Sequence, residues 1–114
     1  MTYSTTIYDL PLADAKARLI RDQKLELHLM LGLTDWLIIR REDTGANVPE
    51  SVMTYRSALR TQQSTNEAVI SSASSIEQLK LFVEGMSLIR EVSAGDAIEY
   101  LVNYAVIRTI IEEM

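Results

Sequence analysis

The chain comprises 114 residues with sixteen acidic and eleven basic side chains, a formal net charge of -5 and no cysteine. One domain is the natural size class, since domains usually run to roughly 100–150 residues, enough to bury a core without metal or disulfide. The missing thiols exclude a disulfide framework, a Cys nucleophile and Cys-based zinc or iron–sulfur sites, and the acidic balance argues against nucleic acid as partner.

No uninterrupted apolar run exceeds four residues, far short of the roughly 20 that span a bilayer. The N-terminus has no basic region followed by an apolar stretch, so no signal peptide and no membrane partner are expected. Hydrophobic residues nevertheless reach 47%, with only four Gly and two Pro. Few breakers and much Leu, Ile and Ala predict an all-α fold, a small helical domain of about four to six helices.

Residues 1–8, MTYSTTIY, suit an extended arm, either strand-like or a frayed tail. The rest, 9–114, reads as one helical domain. Pro11 suits the first turn of a helix, with Asp9 as its cap. From there Leu12, Leu19, Ile20, Leu27, Met30 and Leu31 recur at helical spacing, interrupted by Lys16 and Gln23, and Gly32 marks the end.

Thr34 is an N-cap candidate and Asp35 favours the positive end of a helix, while Gly45 can close one in the left-handed conformation. The intervening WLIIRRED reads as a short helix, although Trp-Leu-Ile-Ile also fits a buried strand. Pro49 restarts helical structure, with Val52, Tyr55 and Leu59 facing inward and Met53 a further candidate for that face. The polar stretch 61–66, TQQSTN, weakens that helix, and a second short one is expected over 67–72.

Ser74 and Glu77 read as a capping box opening a helix that carries Leu79, Leu81, Phe82, Val83, Met86, Leu88, Ile89 and Val92. Ser93 and Asp96 read as another, around Gly95. The terminal segment with Ala97, Ile98, Tyr100, Leu101, Tyr104, Ile107 and Ile110 has no wide polar face. A helix apolar all round must be covered on all sides. It is either central to a small bundle or meets another chain, which makes a homo-oligomer one candidate assembly.

Catalytic chemistry finds little footing. His28, the only histidine, falls off the apolar stripe and reads as a surface residue. The glycines are isolated, so no phosphate loop exists, and Asp96 with Glu99 reads as a helix N-terminus rather than a metal pair. No nucleophile, base and orienter come together, so no catalytic residue, metal ligand or cofactor is assigned. Arg40, Arg41, Arg56 and Arg60 concentrate positive charge. Arg56 and Arg60 share one helix face and read either as partners of internal acids such as Asp35, Glu42, Asp43 or Glu50, or as a clamp for an anionic ligand.

Residues 34–60 read TDWLIIRREDTGANVPESVMTYRSALR. Thr34-Asp35-Trp36, Arg40, Thr44-Gly45, Pro49, Tyr55-Arg56 and Leu59-Arg60 together resemble small bacteriophage tail assembly or tail-fibre assembly chaperones. Residues 17–25, with Arg18, Arg21-Asp22 and Leu25, are similar to that family's first helix. The likeness spans about residues 12–75 and leaves the apolar C-terminal pair of helices, 76–114, uncovered. Where the family has an aspartate and a proline after its Leu-Arg, this chain has Thr61-Gln62.

The resemblance implies a non-enzymatic helper that binds a phage tail-fibre or tail protein in the host cytoplasm and shields apolar surface during assembly. Its alternative is a structural component of the virion tail, a fibre adaptor or baseplate protein that stays bound. Partner contacts are expected at Trp36, Leu37, Ile38, Tyr55 and Arg56 around the motif. On the terminal segment they are expected at Tyr100, Tyr104 and Ile107, because aromatic side chains anchor interfaces.

Overall fold

A computed structural model describes residues 7–101, 110, 112 and 113. The fold is all-α. Among the described residues, the α-helices α1 (Leu12–Gly32), α2 (Asp35–Thr44), α3 (Glu50–Ser72) and α4 (Ile76–Gly85) precede two 3-10 segments, Ile89–Glu91 and Gly95–Tyr100, and residues 110, 112 and 113 are helical as well. Residues 1–6 of the expected arm lie outside the described residues, but Ile7 and Tyr8 do not continue it. They form a helical turn, and Ile7 is fully buried.

The long helices α1 and α3 run antiparallel and form the frame. Lys16 reaches the Ser71 carbonyl, Gln23 meets Asn66, and the Leu31 carbonyl meets Arg56, so one helix ascends as the other descends. Their facing stripes are Ala15, Leu19, Gln23, Glu26 and Met30 on α1, and Val52, Tyr55, Arg56, Leu59, Gln63, Asn66 and Ile70 on α3. Both recur at three- and four-residue steps, the spacing that puts side chains on one helical face.

Pro11 and Pro49 stand at the N-cap positions of α1 and α3 with extended ψ, and neither helix has a capping side chain, so Asp9 does not cap α1. Proline preorganises the entry and has no N–H to leave unpaired. Gly45 ends α2 at φ 76, and its N–H meets the Arg41 carbonyl at 2.9 Å. A side chain at that φ is strained, which is why glycine stands there.

Two apolar clusters share the frame. One holds Met30, Leu33, Leu37, Val52, Tyr55, Leu59, Ile89 and Ala97; the other holds Ile7, Ala15, Leu19, Ile70, Ala73 and Leu79. Between them lies a belt of buried polar side chains, Gln23, Glu26, Gln63 and Asn66. The molecule measures 49 × 25 × 23 Å, its long dimension set by stacking two cores end to end instead of rounding up one.

Three expectations are corrected. α3 is unbroken through the polar stretch 61–66, because Gln63 and Asn66 are inward residues with polar partners. The helix opened near Ser74 stops at Gly85 instead of running to Val92, and its cap is Ser75 rather than Ser74. Ser75 Oγ accepts the Gln78 N–H at 3.1 Å, while the Gln78 side chain accepts the Ser74 N–H at 2.6 Å. The segment after Gly95 is a 3-10 turn that ends at Tyr100, with Ser93 Oγ accepting the Gly95 N–H at 3.3 Å in place of a capping box.

Candidate functional site

The motif-bearing end is organised by one guanidinium. Arg56 on α3 is only 8% exposed, and its Nη1 donates to the Leu31 carbonyl at 2.9 Å, Thr34 Oγ1 at 3.0 Å and Asp35 Oδ1 at 2.9 Å. Thr34 in turn donates to the Leu31 carbonyl at 3.3 Å. At the α1–α2 corner the Leu31 carbonyl accepts the Thr34 N–H at 3.1 Å in a tight turn, and the buried Arg56 cation adds a charge-assisted bond to the same oxygen. Thr34 therefore serves as an acceptor for Arg56 and makes no side-chain cap on α2.

On the other flank of α2, Trp36 Nε1 donates to the Tyr100 carbonyl at 2.9 Å, and the Arg40 guanidinium lies 5.4 Å from the Trp36 ring centre. The indole is 40% exposed, so one edge ties α2 to the last 3-10 segment while part of the ring faces solvent. The Tyr100 phenol is raised above its ordinary 10.0 by hydrogen bonding to Glu99, and the Glu99 charge acts in the same direction.

The flank of α2 facing α3 opens into a cleft of about 210 Å³ lined by Ile38, Arg41, Met53, Arg56 and Arg60. Ile39 on the outermost side of α2 is 66% exposed, and Met53, a candidate for the inward face of α3, is instead 47% exposed. A broader groove of about 640 Å³ follows the outer face of α3 over Thr54, Ser57, Ala58, Thr61 and Thr65.

The residues predicted to meet a partner divide accordingly. Leu37 at 0% and Tyr55 at 2% exposure are core residues, and Arg56 is consumed by the α1–α2 corner, so these three are not surface contacts. Trp36 is exposed, while Ile38 and Tyr100 are half-buried. Trp36 is brought to the Tyr100 carbonyl, so these two expected contact residues stand together. Tyr104 and Ile107 lie outside the described residues. His28 is exposed, as its place off the stripe predicts.

Sequence reading missed the polar belt. Asn66 Nδ2 donates to Gln23 Oε1 at 2.9 Å and to the Ser87 carbonyl at 2.8 Å, and its Oδ1 accepts from Gln62 at 2.9 Å. Glu26 accepts the Ile89 N–H at 3.1 Å and the Arg90 guanidinium at 3.0 Å. Gln23 and Glu26 fall in step with Leu19 and Met30, which was the available signal; a polar residue in phase with an apolar stripe is a candidate for buried pairing. These contacts also explain the break after Gly85. In a continued helix the Ile89 N–H and Ser87 carbonyl would be used internally, whereas the extended linker turns both toward the frame.

Chemically, the described residues offer binding surface and internal pairing. Among them, no three His, Asp or Glu side chains converge as metal ligands do, and no helix is long and apolar enough to cross a membrane. Compared with protein-family models, curated proteins and solved structures, the chain gives no match in any of the three.

Proposed function

We propose that the protein is a non-enzymatic assembly chaperone for a phage tail or tail fibre, working in the host cytoplasm by covering apolar client surface until the client's chains align. The observation that carries the reading is the arrangement of the motif residues. Thr34, Asp35 and Arg56 lock the α1–α2 corner onto α3, and the same end exposes Trp36, Ile39 and Met53. A rigid corner presenting exposed aromatic and aliphatic side chains suits reversible capture of an apolar segment. A net charge of -5 keeps unloaded copies apart by self-repulsion.

The test is co-expression with the long fibre protein of the same phage. A chaperone raises the yield of soluble fibre trimer and co-purifies with it; unchanged fibre solubility and no co-purification reject the reading. The second reading, a structural tail component, draws on the same exposed side chains as permanent contacts. Mass spectrometry of purified particles separates the two, because a structural component is present in stoichiometric amount and a transient chaperone is not.

A further inference from the structure

The cleft between α2 and α3 carries a chemistry that internal packing does not use up. Of its three arginines, Arg56 is spent on Leu31, Thr34 and Asp35. Arg41 is exposed and, among the described residues, its guanidinium pairs with the adjacent Glu42 alone, at 3.8 Å across a solvated pair. Arg60 is exposed and has no hydrogen-bonding or ion-pairing partner among the described residues. Arg60, unpaired among the described residues, and Arg41, held only in a solvated surface pair, thus stand beside the side chains of Ile38 and Met53 in a chain whose overall charge is negative.

We infer that this cleft docks a short acidic, apolar protein segment, its aliphatic side chain seated between Ile38 and Met53 and its carboxylates paired with Arg41 and Arg60. Charge complementarity selects the anion, since guanidinium forks match carboxylates closely. Size selects a side chain over a free metabolite: about 210 Å³ is below the roughly 300–1,000 Å³ usual for small-molecule pockets. The fence of acids selects a short segment over an extended polyanion. Glu42, Asp43 and Glu50 stand exposed on the same two helices and repel a membrane surface or a nucleic-acid backbone. The apolar walls add what a purely ionic site lacks, a desolvated anchor point. The inference rests on the cleft alone and goes beyond the assembly reading, so a failed fibre co-expression leaves it standing.

The probe is a fluorescein-labelled helical peptide with two leucines one turn apart and two flanking glutamates, titrated into the full chain and followed by anisotropy. Expected is saturable binding that weakens with added salt, and weakens roughly tenfold in the Arg41→Glu/Arg60→Glu double variant or when the peptide's glutamates become glutamines. Met53→Ser should weaken it while leaving the salt dependence in place. Both arginines are exposed, so the double variant is expected to melt as the parent does; if it does not fold, Arg41→Gln/Arg60→Gln serves in its place. Absence of saturable binding, or equal binding by the arginine variants, overturns the proposal. So does binding of phosphatidylglycerol vesicles without peptide binding, which would mark the cleft as an anionic-surface site.

Discussion

The two ends of the molecule bury similar side chains by different means. At one end Ile7, Ala15, Leu19, Ile70, Ala73 and Leu79 meet mainly through apolar contact, with the Ser74–Ser75–Gln78 cap that starts α4 and the Lys16 ammonium on the Ser71 carbonyl as polar additions at the surface. At the other, Met30, Leu33, Leu37, Val52, Tyr55, Leu59, Ile89 and Ala97 are covered by short and irregular pieces, namely α2 and two 3-10 turns. Such pieces cannot satisfy their own backbone, so this end recruits Arg56, Glu26 and Trp36 to hold carbonyls and N–H groups. Regular helices satisfy their own backbone internally, whereas irregular segments draw polar side chains from other elements onto theirs. The exposed Trp36, Ile39 and Met53 sit at the end that is built this second way.

The largest test of this contrast removes one fully buried leucine from each end. Leu59→Ala and Leu79→Ala should each cost about 2–5 kcal/mol in urea denaturation, the range for large-to-small core changes. Trp36 fluorescence reports the irregular end directly. Because α1 and α3 pass through both ends, Leu79→Ala should also shift the Trp36 midpoint; an unmoved midpoint would mean that the two ends unfold separately.

Glu26→Ala comes next. The carboxylate is 9% exposed and Arg90 is 21% exposed, so losing the pair and the Ile89 contact should cost about 2–3 kcal/mol, the range for hydrogen bonds to charged groups. Hydrogen exchange should show lost protection at the Ile89 amide with the amides of α4 unchanged. Equal loss in both places would make the belt a general support rather than a local tie.

Arg56→Met should cost less, about 1–2 kcal/mol, because Asp35 is 51% exposed and regains water once its partner is gone. The change should increase exchange at the α1–α2 corner and leave Leu79 and its neighbours protected. Arg56→Lys should recover only part of the stability, since an ammonium lacks the planar fork.

The smallest effect concerns the regular end. Burial raises the Tyr8 phenol above its ordinary 10.0, and the Glu84 charge pushes the same way. A folded value above the unfolded one gives a contribution that is complete below pH 10.0 and lost as pH rises through the folded value. Ultraviolet titration should show late phenols for Tyr8 and Tyr100, and Tyr8→Phe should remove the Tyr8 step together with its share of alkaline destabilisation. A Tyr8 midpoint at or below the ordinary value would contradict the packing of residue 8 against this end.

Much of the regular frame was legible. Leu19 and Met30 fall on the α1 stripe, Val52, Tyr55 and Leu59 face inward as spaced, and Gly45 and Pro49 punctuate the turn where they were expected. The pairing of Arg56 with Asp35 was among the readings of the arginine cluster and is present at 2.9 Å. Less legible were the surface assignments. Leu37 and Tyr55 were set among the partner contacts, yet both are core, because periodicity says which residues share a face and not which face is covered. The apolar surplus after residue 76 divides likewise: Leu79, Ile89 and Ala97 are buried, while Leu81 at 67% and Ile98 at 57% exposure stay outside.

The composition that opened the reading, 47% hydrophobic residues with four Gly and two Pro at a net charge of -5, by itself determined an all-α chain. Helical spacing, proline entries and a left-handed glycine exit are local properties that act within a few residues. Only the tertiary structure decided that polar Gln23, Glu26 and Asn66 belong inside, and that α4 ends at Gly85 so that Ile89 can meet Glu26. It also decided that Arg56 serves the fold while Arg41 and Arg60 remain available beside it. Each of those outcomes depends on partners distant in the chain: a buried polar group is stable only where another element supplies its hydrogen bond.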